Sequence, residues 1–243
     1  MGQRSLFKNT DQQMNRQLAL AIQLNDEATL PDFFWGENTL LRTEVERVVQ
    51  QQGEPFLFLW GNTGCGKSYL LQACCQAIVP ASAAIYLPLD ILKEWGAESI
   101  DGLGEQALVA IDDIDCIAGN AVWEEALFHL YNKLRDNPHS RLIISSKQSP
   151  NQLAIQLPDL RSRLLSGLAI HMKELDDAAK IKTLQHHAQK RGFELPTVVG
   201  QFLLKRCARN MHELHQLLNF LDEASLMAQR KITIPFVKHI LQL

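Results

Sequence analysis

The chain has 243 residues, 46% of them hydrophobic and 21% charged, with a formal net charge of −3. That is enough apolar mass to bury a core, and the acidic balance excludes a protein that holds nucleic acid through its overall charge. Five cysteines, an odd number without C-x-x-C spacing, argue against a disulfide framework or a zinc site and for reduced thiols in the cytoplasm, and no apolar run is long enough to span a membrane.

Residues 1–30 are polar and read as a flexible N-terminal arm. Within it lies Gln17-Leu18-Ala19-Leu20-Ala21-Ile22. Leu18, Leu20 and Ile22 alternate, so an extended backbone points them the same way, and with Gln17 they suit a groove on another protein. Leu18, Ala21 and Ile22 equally make one apolar helical turn for this chain's own core, and periodicity does not choose between the two. Pro31 to Asn38 (PDFFWGEN) follows. Phe33, Phe34 and Trp35 suit stacking on a nucleotide base or sealing an apolar edge. Asn38 or Thr39 is the predicted cap of a helix that carries Leu40, Leu41, Val45, Val48 and Val49 inward.

Phe56 to Trp60 is an unbroken apolar run, the pattern of a strand buried on both faces. Gly61-Asn62-Thr63-Gly64-Cys65-Gly66-Lys67-Ser68 then matches G-x-x-x-x-G-K-[ST] in full, and Leu70, Leu71, Cys74, Cys75 and Ile78 continue at helix spacing. Strand before and helix after are the context this motif requires. Its glycines let backbone N–H groups turn inward around phosphate oxygens, at the positive end of the following helix. Lys67 can reach the β- and γ-phosphates, and the Ser68 hydroxyl can ligand Mg²⁺.

Ala84 to Leu89 is the second predicted strand, Asp90 to Trp95 a short helix, and Ser99 to Glu105 a glycine-containing turn or weak helix. Ala107 to Ile111 runs into Asp112 and Asp113, which places both acids at the carboxyl end of a buried strand, the edge where parallel sheets bind ligands. Beside a complete phosphate loop, Asp112 is placed to hold Mg²⁺ through water and Asp113 to orient or deprotonate a hydrolytic water. Without that loop, a strand ending in a helix-capping aspartate would be the simpler reading. Ala121 to Arg135 is an amphipathic helix with Leu127, Leu130 and Leu134 inward and Trp123 in the core. Arg141 to Ile144 leads into Ser145 and Ser146, whose hydroxyls suit either a γ-phosphate sensor or strand-end capping. Pro158 opens a helix whose Arg161 and Arg163 are either solvated or an anion-stabilising pair. Ala169 to Met172 is the last predicted strand. From Asp176 only helices follow, over Asp176–Lys190, Pro196–Cys207, Met211–Met227 and Thr233–Leu241, with Thr233 as a cap. A bundle this small reads as a lid over the nucleotide.

This order of phosphate loop, Asp-Asp strand end, polar strand end, arginine-bearing helix and helical lid resembles the AAA+ ATPases, and within them the DnaA/Hda clade. Phe33 to Asn38 resembles the clade's base-binding segment, Leu160-Arg161-Ser162-Arg163-Leu164 its arginine-finger motif, and Asn210-Met211-His212-Glu213-Leu214 the sensor-2 segment of its lid. Gln17 to Ile22 resembles the sliding-clamp motif of the clade's short branch. The runs RGFELP, FLLKR and AQRKITIPFVKHIL, and an end directly after the lid without a DNA-binding domain, point to the same branch.

The resemblance implies a three-layer α/β/α P-loop fold with a parallel sheet over residues 31–174, followed by an α-helical lid over 175–243. It implies an adenine nucleotide, ADP rather than ATP, touched by Phe34, Trp35, Asn62, Thr63, Gly64, Cys65, Gly66, Lys67, Ser68, Tyr69 and His212, with Mg²⁺ at Ser68 and Asp112. Gln17, Leu18, Leu20 and Ile22 would bind the sliding clamp, the β subunit of DNA polymerase III. Arg163 would act as a finger in trans on ATP held by DnaA, with Asp113 as the chain's own catalytic carboxylate. The implied role is regulatory inactivation of the DnaA initiator, in the cytoplasm, with homo-oligomers allowed and no membrane or strong direct DNA contact. Three departures favour a nucleotide-bound switch over a fast ATPase: His212 stands where the clade usually has arginine, Asp113 where many relatives carry glutamate, and Lys147 where the clade often has aspartate. The alternative is a self-contained AAA+ ATPase, a loader or remodelling motor in replication, with Arg163 completing a neighbour's site.

Overall fold

A computed structural model describes residues 24–25, 27–80 and 83–242. Strands β1 (Phe56–Trp60), β2 (Ala84–Pro88), β3 (Leu108–Asp112), β4 (Arg141–Ser146) and β5 (Leu168–His171) form one five-stranded sheet in the order β2-β3-β4-β1-β5. All pairings are parallel. The register explains why these runs are apolar without alternation. Phe58, Ile111 and Ile144 align across the sheet on one face, and Leu57, Ala110 and Ile143 align on the other. The first set packs with Trp123, Leu127 and Leu134 of helix α3 (Ala121–Asp136) and with Leu160 and Leu164 of α4 (Pro158–Ser166). The second packs with Leu41, Val45 and Val48 of α1 (Thr39–Val49) and with Leu70, Leu71 and Cys74 of α2 (Lys67–Ala77). Each strand is therefore covered on both sides, which gives the three-layer α/β/α fold expected from the sequence.

After β5 the chain builds the lid from α5 (Asp177–Lys190), α6 (Thr197–Arg206), α7 (Met211–Ala228) and α8 (Ile234–Leu241), around its own core of Leu184, Leu203, Leu214, Leu218 and Val237. Three of these helices start on side-chain caps. Asp176 accepts from Ala179 N at 2.7 Å, Asn210 from Glu213 N at 2.9 Å and Thr233 from Phe236 N at 3.4 Å.

Three expectations need correction. The last strand sits one residue early, at Leu168–His171 rather than Ala169–Met172, because its register is set by β1: Leu57 lies opposite Leu168, and Met172 N only closes the ladder onto Trp60 O at 2.7 Å. Asn38 does not cap α1 with its side chain. Its amide instead donates to Trp35 O and Lys173 O and accepts from Lys173 N, at 2.8–2.9 Å, tying the aromatic loop to the end of β5. The arm, expected to stay flexible through residue 30, is fixed before that. Asn25 N donates to Gln72 Oε1 at 2.9 Å, Gln76 donates to Asn25 O at 2.6 Å, and Ala28 is 1% exposed. Its polar composition reads as disorder, yet helix α2 satisfies its backbone. The proposed clamp-binding residues Gln17, Leu18, Leu20 and Ile22 lie outside the described residues. Among the described residues, no helix is long and apolar enough to cross a membrane.

Candidate functional site

A cleft of about 560 Å³ opens between the carboxyl edge of the sheet and the lid. Its floor is the glycine turn between β1 and α2. Gly64 and Gly66 adopt φ of +79° and +103°, a region that residues with a Cβ avoid. A Cβ on Gly64 would lie 2.7 Å from Cβ of Asn210, the cap of α7, so the turn and the lid meet where only glycine fits. Lys67 is 5% exposed, and its ammonium donates to Gly61 O at 2.8 Å and Asn62 O at 3.1 Å. Residues Thr63 to Tyr69 all line the cleft. Asn62 instead donates its amide to Glu174 Oε1 at 2.8 Å, pinning the start of the turn to the segment after β5 that leads into the lid.

The two aspartates at the end of β3 have different surroundings. Asp112 is 4% exposed; Tyr86 Oη donates to one carboxylate oxygen at 2.7 Å and Ser145 Oγ to the other. Burial and the Asp112 charge both push the Tyr86 hydroxyl up, which keeps it protonated as the donor. Ser145 Oγ also accepts from Asp113 N at 2.9 Å. Ser146 Oγ donates to Asp115 Oδ1 at 3.0 Å. The strand-end serines are therefore spent inside the protein, of the two uses open from sequence. Asp113 takes a left-handed backbone, φ +54°, and its side chain lines the cleft. Burial and neighbouring Asp112 raise its carboxyl above the usual range, against the opposing pull of Lys147 and Lys67.

The other end of the cleft is aromatic. Phe33 and Phe34 line it, together with Tyr69, His187 and His215. Phe33 meets Trp35 edge to face at 4.7 Å, and Phe34 meets His186 the same way at 5.5 Å. Trp35 packs against the α1–α2 side of the core, so Phe33, rather than Trp35, stands on the cleft wall. Asp32 bridges to the lid. His186 Nε2 lies 2.9 Å from its Oδ1, Lys190 Nζ donates to Oδ2 at 2.5 Å, and Thr29 Oγ1 donates as well. Arg191 donates to Glu27 Oε2 at 2.8 Å. Segment 27–34 thus joins core to lid across the mouth.

The structure brings Phe34, Thr63 to Tyr69, Asp113 and His212 onto one cleft. It sets Trp35, Asn62 and Asp112 around that cleft as supports. Arg163 lies elsewhere, half-buried on α4, and its guanidinium has no hydrogen bond or ion pair with a described residue. Among the described residues, no arginine lines the cleft. Lys147, His187 and His215 line it too, although the sequence reading gave them no binding role. The signal was present for the histidines: both stand beside apolar positions, Leu184 and Ala188 for one, Leu214 and Leu218 for the other. As to metal, Ser68 reaches the cleft directly, whereas the Asp112 carboxylate is committed to Tyr86 and Ser145. That donor set fits Mg²⁺ held mainly by phosphate and water, with Asp112 acting at one remove.

Residues 97–171 match the family model of the bacterial DnaA ATPase domain, and residues 177–241 that of the Hda lid domain. The fold is similar to domain III of the replication initiation protein DnaA from Thermotoga maritima, with a TM-score of 0.76 at 21% identity over 91% of this chain and 98% of that one. AMPPCP-bound DnaA from Aquifex aeolicus has a TM-score of 0.67 at 24% identity, over 82% of this chain and 66% of that one. The RuvB Holliday-junction branch-migration motor of Thermotoga maritima shares the fold at 15% identity, with a TM-score of 0.65 over 90% and 73% of the two chains.

Proposed function

Because the chain is a DnaA/Hda-type AAA+ protein, we propose that it is a nucleotide-bound regulator of the replication initiator, binding the sliding clamp and stimulating ATP hydrolysis by DnaA. The observation that carries this reading is where the arginines stand. The cleft offers a glycine turn, lysines and aromatic walls, yet no arginine among the described residues lines it, and Arg163, on α4, has no hydrogen-bond or ion-pair partner among those residues.

An adenine nucleotide, ADP in the acting form, lies with its base between Phe34 and the lid and its phosphates on the turn amides, Lys67 and Ser68. AMPPCP in the similar Aquifex aeolicus DnaA supports that ligand class. Bound Mg²⁺ would neutralise phosphate charge, with Ser68 as direct ligand and Asp112 behind it. Asp113 faces the same end, and His212 lacks the permanent charge of an arginine. The missing guanidinium favours retention over turnover. Arg163 acts on the triphosphate of the partner. A planar guanidinium stays charged and holds two oxygens, and a finger given in trans is worth about 10³–10⁵ in rate in GTPase systems.

The test is Arg163→Ala in a reconstituted reaction with DnaA and DNA-loaded clamp. The variant should keep nucleotide and clamp binding and lose stimulation of hydrolysis. Full stimulation by the variant would remove the finger role, and robust turnover by the purified chain alone would favour a motor.

A further inference from the structure

We propose that Glu174 and Lys180 are positioning residues for the nucleotide: their ion pair latches the lid onto the glycine turn and sets how slowly the ligand leaves. The inference rests on the nucleotide reading above and adds to it two side chains that do not line the cleft. Glu174 stands between β5 and α5, on the segment where core becomes lid. Its two carboxylate oxygens serve the two sides. Oε1 accepts from the side-chain amide of Asn62 at 2.8 Å, at the start of the turn, and Oε2 lies 3.7 Å from Lys180 Nζ on α5. Lys180 is 7% exposed and also donates to Arg209 O at 2.8 Å. The next residue, Asn210, is the one that a Cβ on Gly64 would meet at 2.7 Å. The run of contacts therefore leaves the turn at Asn62 and returns to it at Gly64.

This closed path fixes the cleft from both sides. On the core side, Asn62 O accepts from Lys67 Nζ at 3.1 Å, so the residue that Glu174 grips also seats the lysine of the phosphate loop. On the lid side, Lys180, Thr183 and His187 share one face of α5 at helix spacing, and Thr183 and His187 line the cleft. Met211 and His212 line it directly after Asn210. A lid that swings off the turn must part Glu174 either from Asn62 or from Lys180. Parting it from Lys180 leaves a buried ammonium with a carbonyl as its remaining partner, and a buried charge stripped of its counter-charge is costly. The pair therefore penalises the open form that would let a nucleotide escape, without touching the nucleotide itself.

The experiment is stopped-flow release of a fluorescent ADP from the full chain, for wild type, Glu174→Ala, Lys180→Met, the double variant and Lys180→Arg, with thermal melts of each nucleotide-free protein beside it. Each single loss should speed release about tenfold, the low end for a lost hydrogen bond to a charged group, because the Glu174 side chain is 44% exposed. The double variant should release within about twofold of the faster single variant, since both changes cut one link. Lys180→Arg, which keeps the charge and the donors, should recover most of the loss. Glu174→Gln keeps an acceptor for Asn62 and drops the charge, so it should fall between wild type and Glu174→Ala, and it carries the test if the alanine variant does not fold. Effects that multiply in the double variant would show that the two residues act separately. Lower melts with unchanged release would leave the pair a contact of the fold alone. Either result overturns the latch while the nucleotide site stands, whereas wild-type protein that binds no ADP overturns the nucleotide reading itself.

Discussion

His215 shows how a single side chain couples this cleft to pH. Its ring faces His187 at 4.5 Å between centroids, and its Nε2 is buried without a hydrogen-bond partner among the described residues. Burial lowers its pKa from 6.5 to about 4; nearby His187, Arg191 and His212 push the same way and Glu27 opposes them. The unfolded chain binds that proton near pH 6.5 and the folded chain only near 4, so acid favours unfolding. The stability that neutral His215 supports is complete above the higher value and is lost as pH falls toward the lower one. His187 is lowered by burial in the same direction. Asp32 and Glu27 are held below the usual carboxylate range by their cationic lid partners, so their contribution disappears in more acidic solution. The thermal midpoint should therefore drop between about pH 7 and about pH 5, and His215→Leu should flatten that drop. Identical slopes in melts of the two proteins would show that the proton is taken up elsewhere.

At the scale of elements, the contact between glycine turn and lid decides whether the cleft is closed. Gly64→Ala places a Cβ 2.7 Å from Asn210 at a φ of +79°. Gly102→Ala is its natural control, because Gly102 has a φ of +81° with nothing within 4 Å. Both variants should lose about 1–2 kcal/mol to left-handed backbone strain. Only Gly64→Ala should also push α7 away and weaken nucleotide binding, about tenfold or more if one hydrogen-bonded phosphate contact is lost. Nucleotide titrations and melts of the pair separate the two effects, and unchanged affinity in Gly64→Ala would show that the lid does not bear on the turn. The turn itself was legible in the sequence because glycine and lysine spacing is dictated locally by phosphate geometry. The buried strands were legible because sheets covered on both faces leave no alternation. Strand order was not, since every parallel crossover carries the same local pattern whichever neighbour it joins. Asn38, Ser145 and Ser146 were ambiguous for a related reason: a short polar side chain at an element end caps or ties according to what tertiary structure places beside it. Phe33 and Trp35 exchanged places because sequence shows that a loop is aromatic without showing which ring turns inward.

The proposed functions fall on separate stretches of the chain: nucleotide between sheet and lid, Arg163 on α4, and the clamp motif ahead of both in sequence. The arm is nonetheless close to the cleft along the chain. Ile22 precedes by three residues Asn25, which is held by Gln72 and Gln76 of α2, and Glu27 and Asp32 are held by the lid. Whether Gln17 to Ile22 grips a partner or packs on its own core is decided by one double variant. If it serves a partner, Gln17→Ala with Leu18→Ala should abolish retention on purified clamp while stability stays within about 0.5 kcal/mol, the range of exposed substitutions. If Leu18 and Ile22 complete the core, truncating Leu18 should cost about 2–5 kcal/mol, as buried leucines do, and the melt rather than the pull-down would report it. The magnitudes do not overlap, so a single melt, read beside the pull-down, assigns the motif to one role.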